Sequence, residues 1–157
     1  MSKEFQEIKK YLNEEMKKAY SEKAYDHAVN PRNMGDFEDA NGYGKETDSH
    51  GDGMQVWLKI ENDVIKRAGF WVKSCTTLVA VGSAMTELVN GINITEVMEL
   101  TPDKIIETLE GLPAGTEHCA EIAISALQEA AGSYYVSQFF KKTSGDKTEI
   151  KLFKLDI

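Results

Sequence analysis

The residues best suited to chemistry in this chain are its thiols and imidazoles. The sequence has two cysteines and three histidines. One histidine directly precedes the second cysteine, and another is followed two residues later by an aspartate. Thiolates together with imidazoles suit zinc, copper and iron–sulfur clusters. The residue types therefore indicate a candidate metal site made of His50, Asp52, Cys75, His118 and Cys119.

A hairpin argument brings two of these residues together. Two strands of alternating apolar residues flank the pair Asn62-Asp63, which predicts a β-hairpin with a two-residue turn. With that turn, the numbers of paired residues sum to 125. If the pairing continues to the open end, His50 lies opposite Cys75 at a Cα distance of roughly 5 Å.

Both cysteines are predicted to stand in the first turn of a helix. Cys75 lies where the strand pattern gives way to helical spacing, and Cys119 follows Thr116, the predicted N-cap of a long helix. The positive end of a helix dipole favours the thiolate, which is the form that binds metal. Alternatively, both cysteines are buried free thiols, His50 caps a loop and Asp52 binds backbone amides.

Composition excludes several classes of function. The chain has 18 basic and 26 acidic residues, a net charge of −8, which argues against nucleic-acid binding. No apolar run approaches the roughly 20 residues of a membrane span, and the N-terminus does not resemble a signal or transit peptide. We therefore expect a cytoplasmic protein with no membrane partner. The H-x-E…P-C-x-x-C pattern of zinc deaminases is absent.

The order of the predicted elements favours an α+β domain with a small antiparallel sheet, because the strands precede most of the helices. Another helix is predicted to open at Thr101-Pro102. A helix over residues 3–19 has one apolar face, which we expect to pack on the domain core, with a partner protein as the alternative. This face consists of Phe5, Ile8, Leu12 and Met16.

A series of motifs makes a family resemblance visible. In chain order they are Ala19-Tyr20-Ser21-Glu22-Lys23, Asp26-His27, Asn30-Pro31-Arg32-Asn33 with Gly35, Gly51-Asp52, Lys73-Ser74-Cys75, Gly82-Ser83-Ala84 and His118-Cys119. The combination resembles the IscU/NifU N-terminal family of iron–sulfur cluster assembly scaffolds. It implies an antiparallel sheet of about three strands packed against several helices. The chain then divides into an N-terminal amphipathic helix (1–18), a scaffold domain (19–141) and a C-terminal tail with a strand (142–157).

The resemblance implies a role for each candidate residue. The family scaffold uses three cysteines, an aspartate beside the first and a histidine before the third. Cys75 and Cys119 match the second and third cysteines. Asp52 matches the aspartate, and His118 matches the histidine.

Two segments depart from the family pattern. The Ala-Cys-Gly-Asp loop of the family reads Ser-His-Gly-Asp over 49–52, so that His50 stands at the position of the first cysteine. Histidine can ligate iron or zinc but cannot carry persulfide sulfur. The family has a Leu-Pro-Pro-Val-Lys segment that a dedicated chaperone recognises. Residues 112–116 keep only its Leu-Pro, so the resemblance does not imply an interaction with that chaperone.

The resulting prediction is a scaffold or carrier for iron–sulfur clusters of the [2Fe–2S] type, not an enzyme. Its ligands would be His50, Cys75 and Cys119, with Asp52 or His118 as the fourth. A cysteine desulfurase would place sulfur on Cys119, and recipient apoproteins would take the cluster. The alternatives are a paralogue with a zinc or iron ion in a structural or regulatory site, or a desulfurase partner that assembles no cluster. Cluster nuclearity and homo-oligomer formation stay open.

Overall fold

The α+β prediction is confirmed by a computed structural model, which describes residues 2–73 and 75–144. The strand expected over 150–157 lies outside the described residues. The elements are α1 (Lys3–Ala19), α2 (Glu22–Val29), β1 (Gly42–Thr47), β2 (Gly53–Glu61), β3 (Val64–Lys73), α3 (Thr76–Val89), α4 (Ile94–Val97), α5 (Pro102–Thr108) and α6 (His118–Ser144).

The strands form one antiparallel sheet in the order β1-β2-β3. The predicted turn joins β2 to β3, and both of its residues lie in the left-handed region, Asn62 at φ 53° and Asp63 at φ 62°. Two consecutive positive φ angles are typical of a type I′ turn, whose twist matches that of the flanking strands. Asparagine and aspartate tolerate this conformation, so the local sequence explains the hairpin.

The register of the hairpin differs from the predicted one. Pairs next to the turn sum to 125, as in Ile60 with Ile65, but beyond a β-bulge they sum to 126, as in Gly53 with Lys73. The extra residue at the bulge is Lys66, which leaves every later pair displaced by one position. Strand pairing also ends at Gly53, so the predicted pairing of His50 with Cys75 is wrong.

The core lies between the inner face of the sheet and helices α3 and α6. Met54, Val56 and Leu58 alternate along β2 and are fully or almost fully buried on this face. β1 is tightly covered by α6, because a Cβ at Gly44 would collide with the carbonyl oxygen of Ala126. The two glycine positions of β1 that face α6 therefore permit backbone-to-backbone packing.

Of the four predicted helices, three begin where expected and one is displaced, whereas α2 and α4 were not predicted. α3 begins just after Cys75, and α5 begins at Pro102 with Thr101 at its N-cap. α6 begins at His118, two residues after the predicted N-cap Thr116, whose hydroxyl instead donates to the Pro113 carbonyl (2.6 Å). No helix in the described ranges has the length and apolar character needed to cross a membrane.

The helix α1 forms over the predicted residues but does not pack on the core. None of its residues is buried, and the side chains of Phe5, Ile8 and Leu12 are all more than half exposed. Lys17 lies over the Tyr25 ring of α2 at 5.5 Å from the ring centre. The expected burial of the apolar face of α1 against the domain is therefore wrong, since three of its four residues are exposed and Met16 is only partly buried.

We expect Gly44→Ala to lower the free energy of unfolding by about 1–3 kcal/mol, because the added Cβ would force β1 away from α6. Urea denaturation followed by circular dichroism measures the change. Gly132→Ala on α6 is the matched control, since a Cβ there has nothing within 4 Å and should stabilise the helix by up to about 1 kcal/mol. Equal unfolding midpoints for the two variants would contradict the close packing of β1 on α6.

Candidate metal site at the open end of the sheet

Three segments of the chain meet where the hairpin opens. Loop 48–52 joins β1 to β2, Cys75 follows β3 at the N-cap of α3, and α6 starts at His118. The loop is closed by two backbone hydrogen bonds, from the Asp48 N–H to the Asp52 carbonyl (2.8 Å) and from the Gly51 N–H to the Asp48 carbonyl (3.2 Å). Local hydrogen bonds thus fix the conformation of the loop beside the two helix starts.

The structure brings the two cysteines together. The Sγ atoms of Cys75 and Cys119 are 4.0 Å apart, and both thiols are free. Two sulfurs bound tetrahedrally to one metal at about 2.3 Å would be about 3.8 Å apart. The pair is therefore spaced as two ligands of one metal ion would be. Cys75 is half-buried, whereas Cys119 is fully buried.

The expectation that Cys119 is a thiolate is wrong for the metal-free protein. Burial raises the pKa of this thiol to about 12, with smaller contributions from Cys75, Asp52 and Asp48. Loss of hydration disfavours the charged sulfur more than the start of α6 favours it. A metal that binds Cys119 must therefore displace a proton.

A carboxylate that the sequence reasoning missed lies at the centre of the site. Asp48 Oδ1 accepts hydrogen bonds from the backbone N–H groups of His50 (2.9 Å) and Asp52 (3.0 Å). Asp48 Oδ2 is buried and has no hydrogen-bond partner. Partial burial acts to raise the pKa of Asp48, but these two donors and the nearby histidines lower it overall. The sequence signal for this role is an aspartate two residues before His50-Gly51, a pattern typical of an Asx turn.

The described part of the chain has one group of three residues whose ligand atoms all lie within 4.8 Å of one another. This group consists of Asp48, Asp52 and His118. His118 Nε2 is 3.8 Å from Asp48 Oδ2 and 4.0 Å from Cys119 Sγ. The imidazole of His118 therefore links the two carboxylates to the thiols. Four of the five residues selected from the sequence are thus close together, and Asp48 is the addition.

His50 occupies the rim of the site. Its side chain is 82% exposed, and Nδ1 is 3.8 Å from Asp48 Oδ2. It does not face Cys75, because the sheet has ended before this loop. A ligand role for His50 stays a prediction, and the geometry does not require it.

The third histidine has a structural role. His27 is buried on α2, with Nδ1 2.7 Å from the Ser83 hydroxyl of α3. The same hydroxyl accepts from the Arg32 backbone N–H (2.9 Å), and the Asn33 amide donates to Thr86 (3.1 Å). These motif residues fix α2 and the following loop on α3, the helix that begins next to Cys75.

Comparison with known proteins identifies a family for most of the chain. The family model described as the NifU-like N terminal domain matches residues 19–141. The chain is 40% identical to the iron–sulfur cluster assembly scaffold protein IscU of Aquifex aeolicus over 122 residues, 76% of this chain and 78% of the relative. It is 37% identical to IscU 1 of Archaeoglobus fulgidus over 117 residues, 74% of this chain and 76% of the relative.

Solved structures support the same fold. A NifU-like N-terminal protein from Brucella abortus aligns with a TM-score of 0.61 at 16% identity, over 77% of this chain and 97% of the other. A putative iron–sulfur cluster assembly scaffold protein from Fervidobacterium islandicum aligns with a TM-score of 0.60 at 18% identity, over 73% of this chain and 97% of the other.

We expect Cys119 to react with iodoacetamide more than about tenfold slower than Cys75 in the folded, metal-free protein near neutral pH. Its thiol is buried and protonated, and alkylation requires an accessible thiolate. Mass spectrometry of the two cysteine peptides over time gives both rates. Labelling in urea is the control, since both cysteines should then react alike. Equal rates in the folded protein would show that Cys119 is not protected.

Proposed function

The chain belongs to the family of NifU-like N-terminal domains, and from this we propose that it assembles iron–sulfur clusters and passes them on. The observation that carries the proposal is the pair of thiols 4.0 Å apart beside Asp52 and His118. The relatives that the chain resembles are named as scaffolds rather than as enzymes. Its own role is accordingly to hold iron and sulfur temporarily.

The donor set suits a [2Fe–2S] cluster. Such a cluster takes four protein ligands, in most proteins thiolates and in some a mixture of thiolate and imidazole. Cys75, Cys119 and His118 supply three of these, and a neighbouring carboxylate supplies the fourth. Fewer thiolates than in an all-cysteine site should weaken the hold on the cluster, which suits a protein that gives its cluster away.

A single zinc or iron ion is the second candidate. The thiol pair and His118 have the donor types of a structural zinc site, and a carboxylate would complete four ligands. Zinc proteins of this kind are colourless, whereas iron–sulfur proteins absorb visible light. The two candidates are therefore separated by the spectrum and by the metal and sulfide content of one sample.

Anaerobic reconstitution with Fe²⁺, cysteine, a cysteine desulfurase and dithiothreitol, which reduces the transferred sulfur to sulfide, should give a brown protein with about two irons and two sulfides per chain. We expect Cys75→Ala and Cys119→Ala each to lose most of the visible absorbance, because each removes one sulfur ligand. Alanine is chosen because Cys119 is fully buried.

The matched control for this experiment is Thr76→Ala, an exposed position next to Cys75, which should load like the parent. Circular dichroism checks that all variants are folded. A parent protein that binds metal but takes up no sulfide would contradict cluster assembly and support the single-ion site.

For the sulfur donor we propose a cysteine desulfurase, as the family resemblance implies. The resemblance points to Cys119 as the acceptor, but exposure favours Cys75, which is half-buried while Cys119 is fully buried. In the transfer, the Cys75 thiolate attacks the terminal sulfur of the desulfurase persulfide, and the desulfurase thiolate leaves. The Sγ atoms are close enough for a second exchange once Cys119 has lost its proton: its thiolate attacks the terminal sulfur on Cys75, and the Cys75 thiolate leaves.

We expect a brief incubation with desulfurase and cysteine to add about 32 Da, one sulfur, first to the Cys75 peptide. Mass spectrometry of thiol-blocked digests measures the order of labelling. Cys75→Ala should then also delay labelling of Cys119, while Thr76→Ala should leave both unchanged. Early label on Cys119 alone would support the resemblance-based assignment and exclude a first step at Cys75.

A further inference from the structure

We propose that Asp48 is a metal ligand in this chain, and that with Asp52 and His118 it forms a half-site that takes up a divalent metal ion without the thiols. We call these three residues the carboxylate half-site. The inference deepens the proposed function and rests on its metal-binding part. It concerns a residue outside the ligand positions that the sequence indicated.

The two oxygens of Asp48 have different surroundings, and this difference is the first argument. Oδ1 accepts two backbone hydrogen bonds, which fix the orientation of the carboxylate. Oδ2 is thereby held inside the site, where it is buried and accepts no hydrogen bond, since the nearest imidazole nitrogens, His50 Nδ1 and His118 Nε2, are each 3.8 Å away. A buried carboxylate oxygen without a donor is costly, so such an atom calls for a positive partner. A metal ion between the three residues of the half-site would supply that charge.

The distances within the half-site are the second argument. Asp48 Oδ2 and His118 Nε2 are 3.8 Å apart, too far for a hydrogen bond between them. Two ligand atoms bound to one metal at about 2.1 Å in tetrahedral geometry lie about 3.4 Å apart. Small side-chain movements would therefore bring both atoms, with Asp52, onto a common ion.

The position of His50 is the third argument. The resemblance places His50 where the family has its first thiolate, yet this side chain is 82% exposed. Asp48 lies two residues before His50 and belongs to the same site, and its side chain is only 18% exposed. A carboxylate also carries the negative charge that a thiolate would have brought and that a neutral imidazole lacks. Asp48 is thus better placed than His50 to replace the missing ligand.

The donor types define which ion would bind. Carboxylate oxygens and imidazole nitrogen suit Fe²⁺, Mn²⁺, Co²⁺ and Zn²⁺, whereas soft ions prefer the thiol side of the site. Iron supplied as Fe²⁺ could therefore enter at the carboxylate half-site before sulfur reaches the cysteines. His118 Nε2 is 4.0 Å from Cys119 Sγ, so an ion bound to His118 would lie next to the thiols.

The test uses Co²⁺ alone, with no iron, sulfide or desulfurase. In the parent, bound Co²⁺ should show a thiolate charge-transfer band in the near ultraviolet. The double variant Cys75→Ala/Cys119→Ala should lose this band but still bind one Co²⁺, measured by calorimetry. Adding Asp48→Asn to that background should weaken Co²⁺ binding by more than about tenfold, since the amide keeps the loop hydrogen bonds but not the charged ligand.

Two control variants make the result specific. Asp39→Asn removes the same charge at an exposed position before β1, and it should leave Co²⁺ affinity unchanged within about twofold. His50→Ala should also change it little. Absence of Co²⁺ binding in the double cysteine variant, or equal affinities for Asp48→Asn and Asp39→Asn, would overturn the proposal. Failure of cluster reconstitution would instead count against the proposed function and leave the Co²⁺ result standing.

Discussion

The close packing of α6 on β1 is the constraint on which the site depends. Backbone contact at Gly44 and Ala126, together with the hydrogen bond from the Tyr43 N–H to the Ser133 hydroxyl (2.8 Å), fixes the helix along the strand. From Gly44 to Asp48 the chain advances about 13 Å at the rise of a strand. From Ala126 back to His118 the helix covers about 12 Å. The strand length and the helix length agree, so the start of α6 lies beside the end of β1.

Burial at this junction determines the chemistry of the second thiol. A rise in pKa from 9.0 to about 12 corresponds to roughly 4 kcal/mol against the thiolate of Cys119, whereas a helix N-terminus contributes about 1 kcal/mol or less in its favour. Sequence reasoning identified the helix start but could not weigh it against desolvation, because burial depends on how α6 packs. A metal that binds Cys119 would consequently have to displace its proton, because the thiol is not a thiolate ready to react.

The parts of the structure that could be predicted from sequence are those fixed by local patterns. The turn at Asn62-Asp63 follows from two residues that tolerate positive φ, and α1 follows from its spacing. The register could not be predicted, since no glycine marks the extra residue Lys66. The same displacement invalidated the pairing of His50 with Cys75. Asp48 was missed because its spacing before His50-Gly51 indicates only an Asx turn, and sequence does not show that Oδ2 is buried 3.8 Å from His118 on α6.

The arrangement of donors gives the site two chemically different sides. Asp48 and Asp52 are oxygen donors, Cys75 and Cys119 are sulfur donors, and His118 lies between them. Iron and sulfur differ in which donors they prefer, since Fe²⁺ accepts carboxylate and imidazole while sulfur transfer requires a thiolate. Under the proposed function, metal would enter on the oxygen and nitrogen side and sulfur would arrive on the thiol side, so that the two steps would not compete for the same side chains.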